Sequence, residues 1–242
     1  RSSKAQLASS QVTTPAVLVP LPSDHLPNPV PMAPNAAVAR VPLAVTVFMA
    51  VTTSMLLAPA EAGLYSDRDA LLALRGGLQD PDGALRSWIL EVNPCEWTQV
   101  TCDRVANRVT EITIGHANLS GPLSPELGKL DQLTKLWISY TNIQGTIPEE
   151  LGNLENLNSM HLHNNSLSGQ IPASLGKLKS LKQLHLQQNR LTGPIPSELD
   201  GLSDQTSVNL SSNDLCGPIP TDGPFKNMNS SLADNPRLGG NC

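Results

Sequence analysis

A glycine recurs five times at an interval of 24 residues, at Gly121, Gly145, Gly169, Gly193 and Gly217. An aliphatic residue stands two positions before each (Leu119, Ile143, Leu167, Leu191, Leu215) and another two positions after (Leu123, Ile147, Ile171, Ile195, Ile219). Proline follows in four of the units, as Pro148, Pro172, Pro196 and Pro220, with Ser124 in the first. Copies this regular do not fit a single compact core, where every segment meets a different environment. They fit a stack, where each unit meets only its neighbours.

Each unit opens on alternating apolar residues: Ile112/Ile114, Leu136/Ile138, Met160/Leu162, Leu184/Leu186 and Val208/Leu210. Alternation gives a short strand one inward and one solvent-facing side. Stacked strands then lie about 4.8 Å apart in a parallel sheet. The period, with Leu181, Leu184, Leu186, Asn189 and Leu191 at their spacing, is that of the leucine-rich repeat. The predicted fold is an α/β leucine-rich repeat solenoid with a short parallel β-sheet on the concave face, a helical amino-terminal cap and five 24-residue repeats. Asn165, Asn189 and Asn213 are placed to form an amide ladder that satisfies backbone groups where the chain turns inward. Ala117 and Thr141 hold that position in the first two units, so the ladder is expected to begin at the third.

A stack needs caps. In the amino-terminal cap, Ser66 and Asp69 resemble a capping box, and Leu71, Leu74 and Leu78 follow at helical spacing. The Asp80-Pro81-Asp82-Gly83 cluster then ends the helix. Trp88 and Trp97 are expected to cover the first repeat. Beyond the fifth repeat the pattern dissolves into a polar tail, with Phe225, Met228, Leu232 and Leu238 to close the stack. Upstream of the cap, Met32 and Arg40 precede an apolar run from Val41 to Ala58, and Ala60-Glu61-Ala62 fits a cleavage site. The run is also long enough to approach a membrane span, so an uncleaved anchor is the alternative. The expected organisation is an upstream segment that is not native or not ordered (1–31), a signal peptide (32–62), the cap (63–108), five repeats (109–222) and a tail (223–242).

The four cysteines fit an oxidising compartment and allow three pairings. Cys95 and Cys102 lie close enough for a local bridge, which leaves Cys216 and Cys242 for each other. Sequons for N-glycosylation occur at Asn118, Asn164, Asn209 and Asn229. A net charge of −5 with 15% charged residues gives no basic footprint for nucleic acid.

The L-x-G-x-I-P signature inside a 24-residue unit looks like the plant-specific class of leucine-rich repeat. The stretch from Asn93 through Pro94, Cys95, Glu96 and Trp97 to Val100, Thr101 and Cys102 is similar to that class's amino-terminal cap. With five repeats, Ala117 at the first asparagine position and Asn235-Pro236-Arg237-Leu238 near the end, the chain resembles the ectodomain of the somatic embryogenesis receptor kinase family. That family continues into a stalk, a membrane helix and a kinase. None of these follows here, so the resemblance implies a secreted, kinase-less relative acting in defence or in receptor complexes. The family's concave-face tyrosines are mostly replaced by His163, Asn164, Gln187 and Gln188, and its aromatic-His pair in the cap by Thr98-Gln99.

Between the strand leucines, solvent-facing positions form a column: Thr113, Trp137, His161, His185 and Asn209. The next column runs Gly115, Ser139, His163, Gln187 and Ser211, with His116, Tyr140, Asn164, Gln188 and Ser212 beside it. Solenoid faces are extended binding surfaces, and Trp and Tyr are enriched at interface hot spots. The expected partner-binding residues are therefore Trp137, Tyr140, His161, His163, His185 and Gln187. Histidines there are expected to titrate between about pH 5 and 7. No carboxylate stands among them, so the reading assigns no metal and no cofactor.

The function expected is non-enzymatic extracellular recognition of a protein or peptide, a receptor-kinase ectodomain above all, with membrane association only through that partner. The alternative is inhibition of secreted pathogen enzymes, in the manner of polygalacturonase inhibitors, which have about twice as many repeats of this class. The chain has no nucleophile motif of the G-x-S-x-G kind and no flat Thr or Asn array of the kind that binds ice.

Overall fold

The computed structural model describes residues 59–226 and 229–242. The upstream segment and most of the signal peptide lie outside the described residues. One helix, Pro59–Gly77, opens the structure, and two parallel stacks of strands follow it.

The first sheet has six strands. Val100–Cys102 pairs antiparallel with Val109–Gly115, and Lys135–Ser139, Ser159–His161, Gln183–His185 and Ser207–Asn209 follow in parallel. The register is the repeat itself: Ile112 lies opposite Leu136, then Met160, Leu184 and Val208. All five side chains are fully buried.

A second sheet runs beside the first and was not foreseen. Its strands are Ser120–Pro122, Asn142–Gly145, Ser166–Gly169, Arg190–Pro194, Asp214–Gly217 and Arg237–Leu238, all parallel. Each is two to five residues long, and all but Arg237–Leu238 contain Gly, Pro or Asp, which propensity alone disfavours in strands. Repetition overrides propensity, because every copy sets its amides opposite the carbonyls of the copy before. The recurring glycine now has its reason: φ is +80° at Gly145 and +79° at Gly193, the left-handed region that a side chain strains. On the convex side the chain returns through short 3₁₀ turns, Pro125–Lys129, Glu149–Asn153, Ala173–Lys177 and Ser197–Gly201. They stack so closely that a Cβ on Gly152 would lie 2.5 Å from the carbonyl oxygen of Ser174.

The asparagine ladder begins at the third repeat. Asn165 Nδ2 donates to the carbonyls of Ile138 (2.8 Å) and Leu162 (3.1 Å), while its Oδ1 accepts from Ile143 N and from the Thr141 hydroxyl. Asn189 and Asn213 repeat the pattern. The tail then extends it. Asn235 Nδ2 donates to Leu210 O and Leu232 O, and its Oδ1 accepts from Leu215 N at 3.1 Å. The polar tail is thus a shortened sixth repeat, with Asn235 22 residues after Asn213 rather than 24. Leu232-x-x-Asn235 copies Leu210-x-x-Asn213, and Gly239 follows Asn235 as Gly217 follows Asn213, a signal masked by the two missing residues.

The amino-terminal cap differs from expectation in one respect. The helix runs unbroken through Ser66 from Pro59, so no capping box forms and Ala60-Glu61-Ala62 lies in its first turns. Asp67, fully buried, instead accepts both Arg108 Nε and a terminal Arg108 nitrogen at 2.8 Å, and Val109 N at 2.9 Å. This paired, charge-assisted contact ties the helix to the first strand of the repeats. Trp88 and Trp97 are buried and stacked at 5.5 Å, with Trp88 Nε1 donating to Thr98 O. Disulfides join Cys95 to Cys102 and Cys216 to Cys242, one in each cap. No helix among the described residues is long and apolar enough to cross a membrane.

Candidate functional site

The inward row of the first sheet leaves the alternate residues on its open face. There the register sets Trp137 opposite His161, and His161 opposite His185. Strand spacing brings their rings into contact. The centroids of Trp137 and His161 are 4.6 Å apart and stacked, and those of His161 and His185 are 4.4 Å apart. His163, two residues beyond His161, meets the edge of Tyr140 at 5.3 Å and lies 6.2 Å from His185. His116 stacks on Tyr140 at 4.4 Å. Six rings from three neighbouring repeats and the start of a fourth form one continuous group.

His161 and His163, expected to face solvent, are buried at 7% exposure each, and Ser139 is wholly buried. For His161 the cause is the ring stack itself, because Trp137 covers one face of it and His185 the other. Trp137 is only partly buried and Tyr140 remains exposed. Gln187 is partly buried, with its Oε1 wholly enclosed and unpaired.

The polar contacts are specific. Trp137 Nε1 donates to the Ser139 hydroxyl, and Lys135 Nζ lies 5.4 Å from the centre of the Trp137 ring. His161 Nε2 donates to Gln183 Oε1 at 3.1 Å, which leaves Nδ1 as its lone-pair nitrogen. Burial holds His161 and His163 below the ordinary histidine range. The same cause, helped by the neighbouring histidines, brings His185 down to about 4. The expected titration between pH 5 and 7 is therefore displaced to more acid pH.

Sequence reasoning missed Lys135, Gln183 and the burial of Ser139. Lys135 and Gln183 belong to the row one residue ahead of the strand leucines, with Glu111, Ser159 and Ser207, a column the repeat pattern does contain. It also missed the turn at the open edge. His116, Tyr140, Asn164, Gln188 and Ser212 all have φ between +54° and +57°. Asn and His suit that conformation better than Tyr, Gln or Ser, so Tyr140, Gln188 and Ser212 carry local strain at the face that displays them. Among the sequons, Asn118 is exposed, while Asn164 donates its amide to Gln188 Oε1 and Asn209 accepts from Ser211.

Comparison with known proteins agrees with this architecture. Residues 64–103 match the leucine rich repeat N-terminal domain, and residues 131–191 the leucine rich repeat. Leucine-rich repeat protein 1 of Oryza sativa subsp. indica is 60% identical over 75 residues, which are 31% of this chain and 35% of that protein. The match thus spans about a third of the curated relative. The BIR2 ectodomain from Arabidopsis thaliana superposes with a TM-score of 0.64 at 32% identity, over 71% of this chain and 93% of that one. A chain of the BIR3–SERK2 complex, also from Arabidopsis thaliana, superposes with a TM-score of 0.59 at 32% identity, over 63% of this chain and 84% of that one. With its cap, its repeat and nearly the whole of a solved plant ectodomain matched, this chain belongs to the plant leucine-rich repeat proteins.

Proposed function

We propose that this chain is a secreted, non-enzymatic recognition module whose concave face binds a protein or peptide partner, a receptor-kinase ectodomain being the class that fits best, in plant signalling or defence. One observation carries the reading: the ring group of Trp137, Tyr140, His161, His163 and His185 on the open face of the sheet. The core requires no rings there. A partly exposed Trp held by a hydrogen bond to a buried Ser139 is a preorganised anchor, of the kind that dominates interface energetics. Similarity in fold to the ectodomain found in the BIR3–SERK2 complex supports a partner of that class. Disulfides in both caps and an exposed sequon at Asn118 support an extracellular location.

The test is a pull-down of the secreted protein against a panel of plant receptor-kinase ectodomains, followed by affinity measurement on any hit. Trp137→Ala should weaken binding on the order of tenfold or more, as expected for loss of an aromatic anchor. Wild-type affinity in a normally folded Trp137→Ala protein would move the interface to a flank or to the caps. Inhibition of pectin-degrading enzymes, with no ectodomain captured, would replace the reading by the inhibitor one.

A further inference from the structure

Three of the chain's five histidines meet at one point of the concave sheet: one ring nitrogen from each of His161, His163 and His185 lies within 4.8 Å of the other two. The grouping follows from the fold. His161 and His185 are paired across adjacent strands, and His163 follows two residues after the end of the first of them. The polar atoms around this point are incompletely satisfied. Among the described residues, five buried side-chain nitrogens or oxygens have no hydrogen-bond partner, and three of them are here: His161 Nδ1, His163 Nδ1 and Gln187 Oε1. A buried polar atom with nothing to bind is a costly arrangement, and two imidazole nitrogens with an amide oxygen beside them ask for a common ligand.

We propose that His161, His163 and His185 form a binding site for a late first-row divalent cation, Zn²⁺ being the probe of choice. Neutral imidazole is the ligand type that suits Zn, Cu and Ni, and a three-histidine set needs no carboxylate. Its absence, which argued against a metal in the sequence, carries no weight against an all-nitrogen site. His161 has the outer contact of a metal ligand: its Nε2–H is held by the side-chain carbonyl of Gln183, which selects the tautomer and leaves the lone pair on Nδ1. Zn–N bonds of about 2.0–2.1 Å place tetrahedral donors about 3.3 Å apart, so the triangle contracts by at most about 1.5 Å through ring rotation. The 40° tilt between the His161 and His185 rings departs from a parallel stack, in which the in-plane lone pairs could not meet at one ion. Lys135, whose charge acts on His161, is 3.6 Å from the Glu111 carboxylate and partly offset by it. A fourth position is left for water, with Gln187 Oε1, one repeat along from His163, as an unpaired acceptor on the same column. All four cysteines are in disulfides, so no thiolate competes for the ion.

Binding needs no partner protein, so this proposal stands or falls apart from the recognition function. The experiment is calorimetric titration of the full secreted chain with Zn²⁺ after removal of bound metal by chelator, repeated with Co²⁺ to read the visible spectrum. One equivalent of saturable binding is expected, with the absorption of a nitrogen-rich four-coordinate Co²⁺. His161→Ala, His163→Ala and His185→Ala should each lose at least about tenfold in affinity, in line with the loss of a ligand, whereas His116→Ala should bind as the wild type. Zn²⁺ should also raise the melting temperature of the wild type and of His116→Ala but not of His185→Gln, which keeps the side-chain bulk. No saturable binding, or equal binding and equal thermal stabilisation in the wild type and the His161/His163/His185 triple variant, overturns the site.

Discussion

Two adjacent rows of the same strands obey different rules. Leu136, Met160, Leu184 and Val208 stack on one another and are fully buried. Their immediate neighbours Trp137, His161, His185 and Asn209 stack in the same register, yet keep no single residue type along the row. The inward row repeats because each repeat offers it the same slot between two sheets and a convex turn. The outward row has no such slot to fill, and it changes from rings at Trp137 to an amide at Asn209. Repetition marks what the fold demands of a residue; departure from it marks where the fold demands little. The ring group falls in the second category.

The comparison breaks first, if it breaks, at the inward row. Leu184→Ala removes a wholly buried side chain from the middle of the stack and should cost about 2–5 kcal/mol. Chemical denaturation measures it. A cost equal to that of an outward substitution on the same strand would show that the two rows are not energetically distinct.

Asn189 comes next. Its amide serves Leu162 O, Leu186 O and Leu167 N, all about 3.0 Å away. Asn189→Ala should destabilise by about 2–3 kcal/mol, since each buried group left unpaired costs roughly 1–3 and water can enter beside the ladder. Asn235→Ala, at the end of the same ladder, should cost less and act locally. The clearest sign would be faster hydrogen exchange at the Leu215 amide, which Asn235 Oδ1 holds. Equal protection of that amide in wild type and variant would deny the tail its role as a sixth repeat.

The outward row is expected to matter less for stability than for binding. Trp137→Ala should cost about 1 kcal/mol, within the usual range of a partly exposed substitution, while the partner affinity falls by far more. Asn209→Ala should change neither greatly. A large drop in melting temperature for Trp137→Ala would instead make the ring group a second core, laid on the outside of the sheet.

How far residues alone carried the structure can be judged from the same rows. The strand leucines, the onset of the ladder at Asn165 and the burial of Trp88 and Trp97 all followed from spacing and residue type. The second sheet did not, because residues such as Gly145 and Pro194 argue against a strand when taken one repeat at a time. The sixth repeat was hidden by a two-residue shift that a strict period passes over. At the site, spacing placed Trp137, His161 and His185 in one column, but it treats each outward residue as separately solvated. Burial of His161 is a property of three stacked rings, and it appears only when their sizes are considered together. The Asp67–Arg108 contact joins residues 41 apart in sequence, with no repeat to announce it.

The smallest expected effect tests that collective burial directly. In the folded protein burial keeps His161 and His163 below their ordinary value and His185 at about 4, against about 6.5 for a histidine in the unfolded chain. Above about pH 6.5 the three are neutral in both states and contribute nothing to the pH dependence. Between about 6.5 and 4 the unfolded chain binds protons that the folded one refuses, so stability declines as the pH falls through this window. Protonating the stack would set like charges on rings whose centroids are 4.4–6.2 Å apart, with Lys135 close by His161, which gives the refusal its electrostatic part. Melting temperatures of the chelator-treated wild type should therefore drop more steeply from pH 7 to pH 4 than those of the His161/His163/His185→Gln triple variant. Carboxylates titrate in both proteins, so the difference between the two curves isolates the histidines. Coincident curves would mean that the three rings are hydrated as separate side chains, and the outward row would then be an ordinary solvent face on which Trp137 stands alone.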